Sequence, residues 1–136
     1  AYQFSPHDLF DHDAVNENIL VDMPWNGTPR KLLIHPERNG YVYLIDRETG
    51  EVLSAEPFAH ITTSRGVDLK TGHLLYEPSK EPKLGQVVRD GCPASPGASP
   101  SRLIPLSIIT SQGRFVSRQR STCSNRPVRK SCWSRR

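Results

Sequence analysis

Tyr41-Val42-Tyr43-Leu44-Ile45-Asp46-Arg47-Glu48-Thr49-Gly50-Glu51-Val52-Leu53-Ser54-Ala55 is the stretch that decides the fold. Tyr41 to Ile45 are aromatic or aliphatic without a polar interruption, which predicts a strand buried on both faces. Asp46 to Gly50 then turn the chain, with Gly50 able to take positive φ at no steric cost, and Glu51 to Ala55 run back. Toward the N-terminus, Lys31-Leu32-Leu33-Ile34-His35 is a second run, closed by Pro36 and Asn39-Gly40. Asn18-Ile19-Leu20-Val21-Asp22-Met23 is a third, followed by Asn26-Gly27, a hairpin dipeptide. Four short strands joined by three turns in consecutive sequence predict one four-stranded antiparallel sheet, the unit that β-propellers repeat radially. Downstream, Asp68-Leu69-Lys70-Thr71-Gly72-His73-Leu74-Leu75 echoes Asp46 to Leu53, both reading Asp-x-x-Thr-Gly before an apolar pair. Two unrelated turns would give that echo, and so would a repeated unit. Repetition has a physical motive, because a lone sheet buries its apolar faces only against neighbours.

Upstream lies the densest chemistry of the chain, Ser5-Pro6-His7-Asp8-Leu9-Phe10-Asp11-His12-Asp13-Ala14-Val15-Asn16. Asp11 and Asp13 would share a face on an extended strand. On a tight loop both could converge on a hard cation, which takes several oxygen ligands. An Asp/His-rich loop that is merely solvated and supplies turn hydrogen bonds is the other reading.

The totals set outer limits. A chain of 136 residues allows one small domain, and 35% hydrophobic with 24% charged residues suits a modest core. No stretch approaches the roughly 18 apolar residues that span a bilayer. Charge is unevenly distributed. Residues 1–91 hold 9 Lys/Arg and 14 Asp/Glu, whereas residues 92–136 hold 9 Lys/Arg and no acid, which together give the net +4. Beyond Cys92-Pro93-Ala94 the chain is rich in Ser, Arg and Pro. A disordered basic tail that meets phosphate-rich partners, an out-of-frame translation, and a divergent domain all fit that composition, the second best. The three cysteines, Cys92, Cys123 and Cys132, give no clean disulfide framework.

Ala1-Tyr2-Gln3-Phe4-Ser5-Pro6-His7-Asp8 and Phe10-Asp11-His12-Asp13-Ala14-Val15-Asn16-Glu17 resemble the active-site segment of the quinoprotein methanol/ethanol dehydrogenases, which use pyrroloquinoline quinone. Arg30-Lys31-Leu32-Leu33-Ile34-His35-Pro36-Glu37-Arg38-Asn39-Gly40 resembles the strand and turn that follow in that family, at the expected distance. Two blocks in register are a more specific signal than one short motif. The resemblance spans residues 1 to about 94. It implies an all-β fold, one to two four-stranded blades of an eight-bladed β-propeller. Residues 1–94 would be the propeller segment and residues 95–136 a basic irregular tail. The chain is accordingly expected to be an internal piece of a longer polypeptide, inactive by itself.

The resemblance also assigns roles. Asp11 matches the catalytic carboxylate, which takes the alcohol proton and touches the metal. A base of this kind must lie within hydrogen-bond reach of the hydroxyl. Asp13 falls where lanthanide-type members carry a second aspartate and calcium-type members a small uncharged residue, so the expected metal is a lanthanide, with calcium the alternative. Arg38 matches the arginine that hydrogen-bonds the quinone carbonyls, a task suited to a permanently charged forked donor. His7, Asp8 and His12 are expected to be supporting groups. In the family the cysteine of an Asp90-x-Cys92-Pro93 context pairs with one about thirty residues on; Cys123 lies near that distance in surroundings that do not match. The remaining expectations are a small alcohol substrate, a c-type cytochrome acceptor, a periplasmic location and no membrane span. Nucleic acid would matter only in the alternative reading, a non-catalytic β module whose basic tail binds nucleic acid or acidic partners.

Overall fold

The structure, a computed structural model, describes residues 1–93. The expectations for residues 95–136 fall outside the described residues. Four strands, β1 (Ile19–Trp25), β2 (Thr28–Pro36), β3 (Tyr41–Asp46) and β4 (Val52–Pro57), form one antiparallel sheet in the order β1-β2-β3-β4. A second antiparallel pair follows, β5 (Ser64–Val67) with β6 (Leu74–Tyr76). This all-β arrangement is the one expected from the strand and turn pattern.

Local chemistry explains each boundary. The β1–β2 hairpin closes on the pair Trp25–Thr28, with Asn26 at φ +51° and Gly27 at φ +81°. Both central residues are thus left-handed, as a two-residue hairpin that follows the strand twist requires. β3 is buried at every position. Tyr41, Tyr43 and Ile45 point to one face, where they meet Val52 and Leu74, while Val42 and Leu44 join Leu32 and Ile34 on the other. Between Ile45–Val52 and Leu44–Ser54 the register slips by one residue, a bulge that leaves Leu53 unpaired. The slip changes the parity of β4. Val52 and Ala55, three positions apart, therefore serve the same face, and Leu53 serves the opposite one.

The two Asp-x-x-Thr-Gly segments adopt one geometry. Gly50 donates to the Asp46 carbonyl and Gly72 to the Asp68 carbonyl, each at 2.7 Å, with both glycines left-handed. The Asp46 amide donates to the Glu51 carbonyl and the Asp68 amide to the His73 carbonyl, both at 2.9 Å. In each turn the Thr hydroxyl accepts the amide two residues on, and the Asp carboxylate accepts an amide two residues on. These bonds hold the Asp46 and Asp68 carboxyls below the ordinary carboxylate range, with the Arg30 guanidinium adding to the effect at Asp46. The echo in sequence is therefore a repeated hairpin: β3–β4 in the first sheet and β5–β6 in the second.

The N-terminal residues bind the two sheets together. Phe4 stacks on His35 with ring centres 4.2 Å apart and meets Tyr43 edge-on at 4.8 Å. The Tyr2 hydroxyl donates to the Gly72 carbonyl, and the Tyr76 hydroxyl donates to the Pro6 carbonyl at 2.7 Å. Burial pushes the Tyr2 and Tyr76 hydroxyls up to about 12 and raises Tyr43 further.

Candidate active-site segment

The loop carrying Asp11 is strapped by Asp8. One Asp8 oxygen accepts the Phe10 amide at 2.9 Å and the other accepts the His12 amide. Pulled tight in this way, the chain takes Asp11 through φ +62°, a conformation in which Asp is better tolerated than most residues. The strap directs neighbouring side chains oppositely. His12 is buried, its Nε2 3.1 Å from the Pro93 carbonyl, and its ring lies parallel to Phe10. Asp11 faces outward with its side chain 69% exposed. Asp8 and His12 thus support the loop, as expected. His7 is exposed and left-handed.

Arg38 approaches from the β2–β3 turn. The Glu37 amide donates to the Tyr41 carbonyl at 2.8 Å, and the Gly40 amide to the Glu37 carbonyl at 3.0 Å. His35, Glu37 and Asn39 turn inward and are buried; Arg38, out of phase with them, is partly buried, its side chain 20% exposed. Its Nη2 lies 3.5 Å from Asp11 Oδ2. The two blocks that the sequence singled out meet at this pair.

Asp13 is also exposed, and its carbonyl accepts the Val15 amide at 2.8 Å. Among the described residues no three or more His, Cys, Asp or Glu side chains converge as a metal cluster. The donor chemistry nevertheless fits a hard cation. Asp11 and Asp13 are accessible carboxylates two residues apart, while calcium-like ions take six to eight oxygens. Any such ion would need further oxygen ligands beyond these two carboxylates.

Sequence reasoning passed over His35, Glu37 and Asn39 as functional support. Their signal was present as a period of two through a turn, with Arg38 as the odd member. Cys92 is disulfide-bonded, with its partner outside the described residues. Its carbonyl accepts the Thr62 and Thr63 amides, and its amide donates to the Thr62 hydroxyl, so the segment after β6 is sewn back onto the loop before β5.

A four-stranded antiparallel unit followed by the repeated hairpin of a second is the arrangement that β-propellers repeat, and the Asp11–Arg38 pair links the N-terminal loop to the β2–β3 turn of the first sheet. The chain belongs to the PQQ family, described as the glucose/ethanol/alcohol dehydrogenase β-propeller domain, which matches residues 1–76. It is 32% identical over 125 residues to a lanthanide-dependent methanol dehydrogenase of Methylacidiphilum fumariolicum, covering 92% of this chain and 20% of the relative. That alignment extends past residue 94. A lanthanide-dependent methanol dehydrogenase of Methylorubrum extorquens is 47% identical over 77 residues, covering 56% of this chain and 13% of the relative. Among solved structures, a europium-containing methanol dehydrogenase superposes with a TM-score of 0.66 at 34% identity, over 68% of this chain and 16% of that one. The chain thus spans a fifth or less of these relatives. Among the described residues no helix is long and apolar enough to cross a membrane.

Proposed function

We propose that this chain supplies the base-bearing segment of a PQQ-dependent alcohol dehydrogenase of the lanthanide type. The observation that carries the reading is the approach of Arg38 to Asp11 at 3.5 Å, which joins the two family blocks in one pair. In this reading Asp11 receives the alcohol proton, and Asp11 with Asp13 would hold the metal. Arg38 would face the quinone and balance the negative charge of its reduced form. The quinone would supply the hydride acceptor, with the ion as Lewis acid. A lanthanide is favoured over calcium because a trivalent ion calls for more carboxylate charge, which Asp13 provides. The chain alone is inactive, since two carboxylates and one arginine cannot enclose a cofactor. A c-type cytochrome acceptor, supported by the name of the methanol dehydrogenase (cytochrome c) subunit 1 of Methylorubrum extorquens, and a periplasmic location complete the proposal.

A chimera tests it. Residues 1–76 would replace the matching segment of the Methylacidiphilum fumariolicum relative, and dye-linked methanol oxidation would be assayed with a lanthanide and with calcium. Retained lanthanide-dependent turnover, lost by at least about 100-fold on Asp11→Asn, is the expected result for a general base. A chimera that folds, binds quinone and turns over equally with Asn at position 11 would defeat the assignment.

A further inference from the structure

The Arg38 turn is bracketed by three polar side chains withdrawn from water: His35 at 1%, Glu37 at 0% and Asn39 at 1% exposure. A buried carboxylate is costly unless hydrogen bonds compensate it. Here they do so on both oxygens. Glu37 Oε1 accepts the Arg38 amide at 2.6 Å, and Oε2 lies 3.0 Å from His35 Nε2. The other ring nitrogen of His35 lies 2.8 Å from Asn18 Oδ1, and Phe4 covers the face of the ring. None of this is needed to close the hairpin, which the Glu37 and Gly40 backbone bonds already do. Asn39 separately holds the N-terminal segment, donating to the Phe4 carbonyl and Ser5 Oγ, each at 3.2 Å. What the Glu37 carboxylate adds is a hold on the backbone amide of Arg38 itself.

We propose that Glu37 is a positioning residue, the end of a buried Asn18–His35–Glu37 chain that aims the Arg38 guanidinium at Asp11. The role of the Arg38–Asp11 pair rests on the function proposed above; the aiming itself does not. Without the chain, the Arg38 backbone would lose the bond that fixes where its side chain departs from the turn. The guanidinium charge would then be spread over a volume instead of being held beside the carboxylate.

The test uses the full 136-residue chain without quinone. Arginine side-chain Nε–H relaxation is measured by 15N NMR in the wild type, in Glu37→Asp, whose shortened side chain cannot span both partners, and in Asn18→Ala. Amide exchange at Tyr43 and Leu44 reports the sheet. The expected result is an Arg38 side chain as ordered as the β3 backbone in the wild type. In Glu37→Asp its order falls toward that of the exposed Arg65, with β3 exchange unchanged, and in Asn18→Ala it falls partway. Unchanged Arg38 order in Glu37→Asp with the sheet intact overturns the proposal. Should Glu37→Asp melt the sheet, unchanged order in Asn18→Ala overturns it instead. The quinone contact is tested apart from this, in the chimera: weakened quinone binding on Arg38→Gln supports it, whereas unchanged binding and turnover count against it and leave the aiming role standing.

Discussion

Arg38 Nη2 and Asp11 Oδ2 stand 3.5 Å apart across 27 residues of sequence, one on a hairpin turn and the other on a strapped loop. The pair is too exposed to matter much for folding, because Asp11 keeps 69% of its side chain in water. Exposed ion pairs are worth about 0.2–1 kcal/mol. A double-mutant cycle on thermal stability, Asp11→Asn with Arg38→Gln, is expected to give a coupling no larger than that. A coupling of several kcal/mol would make the pair a structural strut instead.

The β3 strand carries the fold. Leu44 is 1% exposed and packs among Leu32, Ile34 and Val42. Leu44→Ala is expected to cost about 2–5 kcal/mol, the transfer free energy of the lost methyls plus the cavity left behind. Urea unfolding monitored by circular dichroism measures it. A loss below about 1 kcal/mol would mean that this face is not packed as described.

Gly40 is fixed by both conformation and space. It sits at φ +95°, and a Cβ there would lie 2.8 Å from Ile61 Cγ1. Gly40→Ala is expected to destabilise the chain by about 1–3 kcal/mol through strain alone, with the clash adding more. Combining it with Ile61→Ala should remove the clash and keep the strain, so the cycle shows a favourable coupling. Additive effects in thermal melts would place Ile61 elsewhere.

Stability should fall at both ends of the pH scale. The Asp46 and Asp68 carboxyls are held below their ordinary value of 3.8 by amide bonds, joined by Arg30 at Asp46 and by the Thr71 hydroxyl at Asp68. The unfolded chain therefore takes up protons first, and this stabilisation, complete well above pH 4, is lost as pH falls through the folded values. Tyr2 and Tyr76 are pushed by burial from 10.0 up to about 12, so their stabilisation is present below pH 10 and lost as pH rises toward 12. Melting temperatures against pH, for the wild type, Asp46→Asn and Tyr2→Phe, check both limbs. Each variant should flatten its own limb and leave the opposite limb unchanged.

Much of the first sheet was legible because its signals are local. The Tyr41–Ile45 run, the Asn26-Gly27 turn and the Asp-x-x-Thr-Gly echo each depend on near neighbours in sequence. The two family blocks pointed to Asp11 and Arg38, and the structure brings those side chains together. The bulge at Leu53 was not legible, since it is a property of pairing with β3 rather than of β4 itself. Nor was the burial of Glu37. A carboxylate in a turn reads as solvated unless one knows that His35 waits beneath it and that Phe4, from the far N-terminus, covers the ring.

The N-terminal segment has one more consequence, in time rather than space. Its anchors are all distant in sequence: 70 residues from Tyr2 to Gly72, 35 from Phe4 to Asn39, 81 from His12 to Pro93. The hairpins beneath it close over a few residues each. Loops that long are closed only after the surfaces that reward closure exist. The hairpins are therefore expected to form early in folding, and the loop that presents Asp11 to find its place last.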